Sequence, residues 1–266
     1  MPDSEEAVYQ AARALTGGLA LALAFALERW RPHAALRPAW LTNLGLWAID
    51  SVVMATVCGA CGWIVASWAA SRGLGLLTWA GVGKWWALGI GLLALDAVSY
   101  AWHRANHQLR LFWRFHQVHH GDASFHVTTA LRFHPGELLL ALPVRLAAVV
   151  LLGIPPEGVL VFEVVFGVAN LLVHGNFDLP RRTEPVVRWL LVTPALHRGH
   201  HAADWHDLNT NFGTVFSIWD RLANTFHAGE PDRLVVTGLP DRSGLEVLSL
   251  SESLRLPFAR GRTRAG

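Results

Sequence analysis

Lysine is almost absent from this chain: Lys84 is the one lysine among 22 basic residues, and the formal net charge is only +2. So small a charge, carried by scattered arginines, gives no footprint for nucleic acid and points to loop orientation instead. Charged residues of every kind make up 16% of the 266 positions, well under the roughly 25% of ordinary soluble domains. Hydrophobic residues make up 52%, and the mean hydropathy is +0.31. A purely soluble chain is excluded by this balance. There are two cysteines, Cys58 and Cys61 in CGAC, inside a long apolar run. With no second pair and no polar surround, that spacing suits close helix packing better than a metal or redox site. No segment alternates apolar and polar residues as a strand would. The first residues, MPDSEEAVYQ, lack the basic start of a secretory signal and are expected to be retained.

What the chain does have is long apolar runs. Spans are expected over 8–27, 41–70 and 85–102, followed by a hairpin over 137–174 that turns at Pro155-Pro156. Pro143 and Arg145 interrupt its first arm and Glu163 its second, so the hairpin is expected to enter part-way or lie in the interface. Arg29, Arg31 and Arg37 after the first span mark a cytoplasmic loop and leave the N-terminus outside. Residues 175–227 form a cap, and 228–266 a polar tail in which Leu245 to Leu256 reads as an amphipathic helix before a solvated, arginine-rich end. The apolar blocks leave no room for a second core, so 1–266 is read as a single domain. The expected fold is all-α: an integral membrane helical bundle with about four embedded segments and a cytosolic helical cap.

Histidine is the residue out of proportion. Of 14, five fall between His103 and His120, and three more follow in HRGHH. Residues at i, i+3 and i+4 share a helix face, so His103/His107, His116/His119/His120 and His197/His200/His201 each offer imidazoles in one direction. Clusters of this kind point to metal. A single zinc takes at most about four ligands, so eight imidazoles fit two metals better, and His174 at the end of the hairpin makes nine. Imidazole suits zinc, copper, iron and nickel alike. No Glu-x-x-His motif lies near the boxes, which excludes a carboxylate-rich di-iron bundle. Asp96, about two turns before His103, is a membrane carboxylate and so a candidate partner for an imidazole. Asp204 and Asp207 are candidates for the same role. Trp113, Phe115, Phe133 and Trp205 are candidates for walls of the site, and His33, His206 and His227 are read as surface or interface residues.

These boxes resemble those of the fatty acid hydroxylase/sterol desaturase superfamily of membrane histidine-box enzymes. The likeness lies in His103-Arg104-Ala105-Asn106-His107, His116-Gln117-Val118-His119-His120 and His197-Arg198-Gly199-His200-His201. It extends to Tyr100-Ala101-Trp102, to Leu111-Phe112-Trp113, to Thr129-Ala130-Leu131-Arg132-Phe133-His134-Pro135, and to Asn211-Phe212-Gly213 with Trp219-Asp220-Arg221-Leu222. His174-Gly175-Asn176 is similar to the extra histidine of the bacterial sterol desaturase-like and alkylglycerol monooxygenase-like branches. His134 matches a variable family position and is read as structural or supporting, and Asn176 and Asn211 as supporting. His126 stands where relatives often have asparagine, and Ala223-Asn224-Thr225 replaces the usual Phe-Gly-Thr.

The resemblance implies an oxidoreductase with two iron ions bound by the nine histidines and dioxygen as co-substrate. It would hydroxylate or desaturate an unactivated C–H bond of a sterol, fatty acyl or other lipid. No haem, flavin or iron–sulfur motif is present, so electrons are expected from a separate donor of ferredoxin or cytochrome type with its reductase. The inner membrane of a bacterium is the expected location, with the site on the cytoplasmic side. Two other classes compete: a zinc-dependent membrane hydrolase or metal-handling protein, and a non-catalytic membrane scaffold.

Overall fold

In a bilayer core the backbone finds no water to bond, so an apolar chain closes its hydrogen bonds within helices. The computed structural model describes residues 2–35, 39–57, 60–229, 234–241 and 247–259. Its helices are α1 (Pro2–Trp30), α2 (Trp40–Val57), α3 (Cys61–Ser71), α4 (Leu76–Trp79), α5 (Lys84–Gln108), α6 (Arg110–His120), α7 (Pro135–Leu152), α8 (Pro156–Val173), α9 (Glu184–Leu190), α10 (Pro194–His200), α11 (Ile218–Leu222) and α12 (Leu250–Arg255). Among the described residues no strand forms; three isolated bridges tie loops together, including Pro32 to Phe177 and Leu191 to Phe216.

Five stretches are long and apolar enough to cross a membrane: Ser4–Trp30, Trp40–Trp79, Lys84–Gln108, Pro135–Leu152 and Pro156–Val173. Both hairpin arms are among them, each an uninterrupted 18-residue helix. The residues that interrupt their hydropathy are used inside the bundle: Glu163 accepts hydrogen bonds from Tyr9 Oη and, at 3.0 Å, from Arg13 Nε. The outer faces carry Leu15, Leu19, Leu23, Trp85 and Trp86 into the surroundings, while Ala20 and Ala24 face inward. α1 packs on α8, and α5 packs on α6, α7 and α8. At the hairpin turn Ala66, Leu95, Val149, Ile154, Val159 and Phe162 form one core. There Gly75 and Gly153 both adopt left-handed φ, +102° and +71°, and a Cβ on Gly75 would fall 2.1 Å from the Gly153 nitrogen. Only glycine allows the α3–α4 connection to lie on that turn.

The other end is a cap over α6. Leu46, Trp113, Val118, Leu208, Leu239, Leu248 and Leu256 form its core. The C-terminal segment joins this core through Leu239, Leu248 and Leu256, and Arg114 Nε donates to Pro257 O at 2.6 Å and Arg132 Nη2 to Ser253 Oγ at 2.9 Å. The expected amphipathic helix is shorter than 245–256, running Leu250–Arg255 with a capping box between Ser249 and Glu252. Residues 242–246, the arginine-rich 260–266, Arg37 and Cys58 lie outside the described residues.

Candidate metal centre

Each histidine box sits on a rigid element. α5 runs without a break from its membrane segment through His103 and His107, so span and first box are one rod. Leu109 then turns the chain into α6, which presents His116, His119 and His120. Pro194 starts α10, with Thr193 Oγ1 accepting from Leu196 N as its cap, and α10 carries His197 and His200, with His201 closing it. His174 caps the C-terminus of α8.

The structure gathers these nine imidazoles into two buried groups. His103, His107, His116, His120 and His200 form one, and His119, His174, His197 and His201 the other, with the ring nitrogens of each group within 4.8 Å of one another. The reading that each HxxHH box points in one direction needs refinement. Positions i and i+4 are about 40° apart around a helix, whereas i+3 lies about 100° from i+4. Accordingly His116 and His120 join the first group while His119 crosses to the second; His197 and His201 join the second while His200 crosses to the first.

Five rings are fixed from outside through Nδ1. His103 reaches Phe212 O at 2.8 Å, His119 Arg132 O at 3.1 Å, His174 Asn170 O at 2.7 Å and His200 Thr210 O at 2.7 Å, while His116 bonds Glu137 Oε1 at 2.8 Å. A proton on each Nδ1 leaves Nε2 as a bare acceptor facing inward. Those inward nitrogens face each other: His200 and His103 Nε2 are 3.1 Å apart, His197 and His174 3.0 Å, and His174 and His119 3.2 Å. The Nε2 atoms of His107, His116, His120 and His201 are buried without any partner. Buried, unprotonated ring nitrogens converging in two groups are the donor set a pair of imidazole-loving cations takes, and the residues fit such a pair.

The electrostatics agree. Burial, reinforced by neighbouring imidazoles, holds His119, His120, His197 and His201 well below the usual histidine range. Burial lowers His174 to about 4 and His200 to about 3, each against the backbone hydrogen bond that favours its charged form. Neutral imidazole is the form that binds metal.

The supporting residues differ from those expected. Asp96 bonds no imidazole: Oδ2 accepts from Trp219 Nε1 at 2.8 Å and Phe216 N at 3.2 Å, fastening the loop beyond the third box to α5. Asp204 shapes a local turn, its Oδ1 accepting from His206 N at 2.9 Å and Asp207 N at 3.2 Å, and Asp207 O accepts from Thr210 Oγ1 at 2.7 Å beside the Thr210 carbonyl that holds His200. His134 caps α7 by accepting from Gly136 N at 2.9 Å. His126 caps the short 3-10 turn Val127–Leu131 and lies 5.1 Å from the Trp40 ring. Asn176 bridges to Ala34 through both its amide atoms, and Asn211, at φ +54°, to His227. Of the residues read as surface or interface, His33 takes part in an internal contact: its side chain is buried and shares Asp178 with Arg198, each at 2.5 Å. Burial works against the Asp178 charge, but the hydrogen bonds and charges of His33 and Arg198 outweigh it and hold the carboxyl below its usual range. Asn224 takes a left-handed φ of +55°, which asparagine tolerates where relatives use glycine.

Sequence reasoning missed Glu137. It is buried in the first turn of α7, where Oε1 takes both His116 and Asn106 Nδ2, the latter at 3.0 Å. An acid in the first turn of an otherwise apolar helix was the available signal. It also missed Asp220, which accepts from Phe212 N and Gly213 N, both at 2.8 Å, and so sets the carbonyl that holds His103. Of the aromatic walls, Phe133 stacks on His119 at 4.4 Å and Trp113 lies 5.1 Å from His107, with Trp205 behind it. Phe115 packs instead on His134 and Phe258. A cavity of ≈ 250 Å³ opens from His103, His116, His119, His174 and His197 into the bundle between α5, α7 and α8, where Val98, Trp102, Leu138, Val144 and Phe166 give it an apolar stretch.

The sequence signature described as Fatty acid hydroxylase matches residues 88–225. The chain is similar to an ornithine lipid hydroxylase of Rhizobium tropici, 36% identical over 138 residues that cover 52% of this chain and 41% of that protein. It is similar to alkylglycerol monooxygenase of Danio rerio, 31% identical over 184 residues, 68% of this chain and 39% of the relative. It is similar also to cholesterol 25-hydroxylase of Rattus norvegicus, 27% identical over 150 residues, 56% of this chain and 50% or less of the relative, at 49%. The chain spans less than half the length of each of these curated relatives. No solved structure matches it.

Proposed function

The chain belongs to the fatty acid hydroxylase family, and from that premise we propose that it is an O2-dependent di-iron hydroxylase acting on an unactivated C–H bond of a membrane lipid. The observation that carries this reading is the junction of two buried imidazole groups with a cavity that runs into the membrane-embedded bundle. When bound, two irons would supply the reduction of dioxygen and the abstraction of hydrogen from carbon. His103, His107, His116, His120 and His200 would hold one of them, and His119, His174, His197 and His201 the other.

The chain's own residues do the remaining work. Carbonyls of Phe212, Arg132, Asn170 and Thr210 fix ring tautomers, and Glu137 Oε1 does so for His116. Such partners raise ligand basicity and hold ring orientation. Phe133, Trp102, Leu138, Val144 and Phe166 line the cavity, so a lipid chain lies against the imidazoles with water kept out. The names of the relatives share a lipid substrate and the insertion of oxygen, which favours hydroxylation over desaturation here. Electrons would come from a separate ferredoxin or cytochrome partner. Arg29 and Arg31 lie beyond the same end of the bundle as the cage, with His33 bonded to Asp178 there, and by charge bias that face is cytoplasmic. The test is mass spectrometry of host lipids with and without the chain. A product heavier by one oxygen is expected, and an unchanged lipid profile under aerobic growth would refute the reading.

A further inference from the structure

The cavity has a second polar end. Arg145 lines it, eight residues beyond Glu137 on α7 and so roughly 12 Å farther along the helix axis from the cage. Its guanidinium lies against two aromatic faces, 5.6 Å from the Phe162 centroid and 5.8 Å from Phe166. It has no hydrogen-bond acceptor among the described residues. The charges around it are Glu163 and Arg13, with the Tyr9 phenol. Glu163 is already taken: one oxygen, Oε2, receives both Tyr9 Oη and Arg13 Nε. Two arginines thus share one carboxylate, leaving one positive charge without a counter-charge inside an apolar bundle. Such a group is costly and marks a binding site by default. The two aromatic contacts use none of its N–H donors, which remain for a two-oxygen acceptor.

We infer that Arg145 binds the anionic end of the lipid substrate, a carboxylate or a phosphate, and so measures the distance from that end to the carbon presented to the imidazole cage. The inference rests on the hydroxylase reading for the meaning of that distance; the binding itself does not. Arg145 is a specificity-determining residue, and the favoured substrates carry a single anionic group with an alkyl chain running from it toward His119 and His174.

The test is competitive binding to the purified full-length chain in a non-ionic detergent, with labelled hexadecanoate, hexadecyl phosphate and hexadecan-1-ol as probes. At least one anion is expected to bind about tenfold or more tighter than the alcohol, the scale of a charge-assisted hydrogen bond. Whether hexadecanoate or hexadecyl phosphate shows the gain identifies the source of the anion. Arg145→Gln should bring that anion to the affinity of the alcohol while leaving hexadecan-1-ol within about twofold, and Arg145→Lys should restore part of the gain. Equal binding of all three by the unmodified chain overturns the inference, as does an anion preference that survives Arg145→Gln. The first comparison needs no variant, so a misfolded Arg145→Gln leaves the test intact. An anion preference without any oxygenated product would count against the hydroxylase reading alone.

Discussion

At one end of the cavity nine imidazoles lie buried in two groups; toward the other, Arg13, Arg145 and Glu163 lie within a few side chains of one another. Both clusters put polar atoms into an apolar bundle, and they solve the resulting cost differently. Histidine can shed its proton when buried, so many can be crowded together as neutral donors. Arginine cannot, so each guanidinium needs a carboxylate or an aromatic face. The cage is therefore complete only with cations, and the arginine end only with an anion.

Replacing one cage ligand should have the largest effect. His119→Ala removes one of four donors from the smaller group, and metal analysis should show about half the wild-type metal with lipid product lost beyond detection. Unchanged metal content would dissolve the two-group arrangement. Next comes Glu163→Gln, which leaves Arg13 and Arg145 without their shared counter-charge. The loss of a buried partner is worth about 3–5 kcal/mol, read as a lower unfolding midpoint in detergent with the metal content of the surviving protein unchanged. Glu137→Gln should be milder, because the amide oxygen still accepts from His116. Metal affinity should fall about 10- to 100-fold, measured by chelator competition. Smallest is Asp204→Asn, whose carboxylate accepts from His206 N and Asp207 N within its own turn. Stability should move by no more than about 0.5 kcal/mol, with metal content unchanged; a loss of metal there would show that the turn serves the cage after all.

The same contrast explains what could be read from the sequence. Helical periodicity ties His116, His119 and His120, or His197, His200 and His201, into visible units, and their convergence follows once all boxes lie at one end of the bundle. The split of the two HxxHH boxes follows from the roughly 100° between i+3 and i+4, but which imidazole joins which group is set only when the fold brings α6, α8 and α10 together. The arginine end left no pattern at all. Tyr9 and Arg13 come from α1 and Arg145 and Glu163 from the two arms of the hairpin, with Tyr9 154 residues from Glu163, and in sequence Arg145 and Glu163 looked only like breaks in apolar runs. Asp96 was visible as an anomaly, but not its partner, because Trp219 approaches it only after the third box has folded back. Glu137 was hidden for a different reason: an acid in the first turn of a helix has an ordinary explanation in the helix dipole, and only the fold brings it to His116.

The most direct measurement of the central claim is the metal content of the purified full-length chain after expression with iron, counted by mass spectrometry against protein concentration. The account predicts two irons per chain. Zinc in their place, or a single metal in a well-folded preparation, would contradict it.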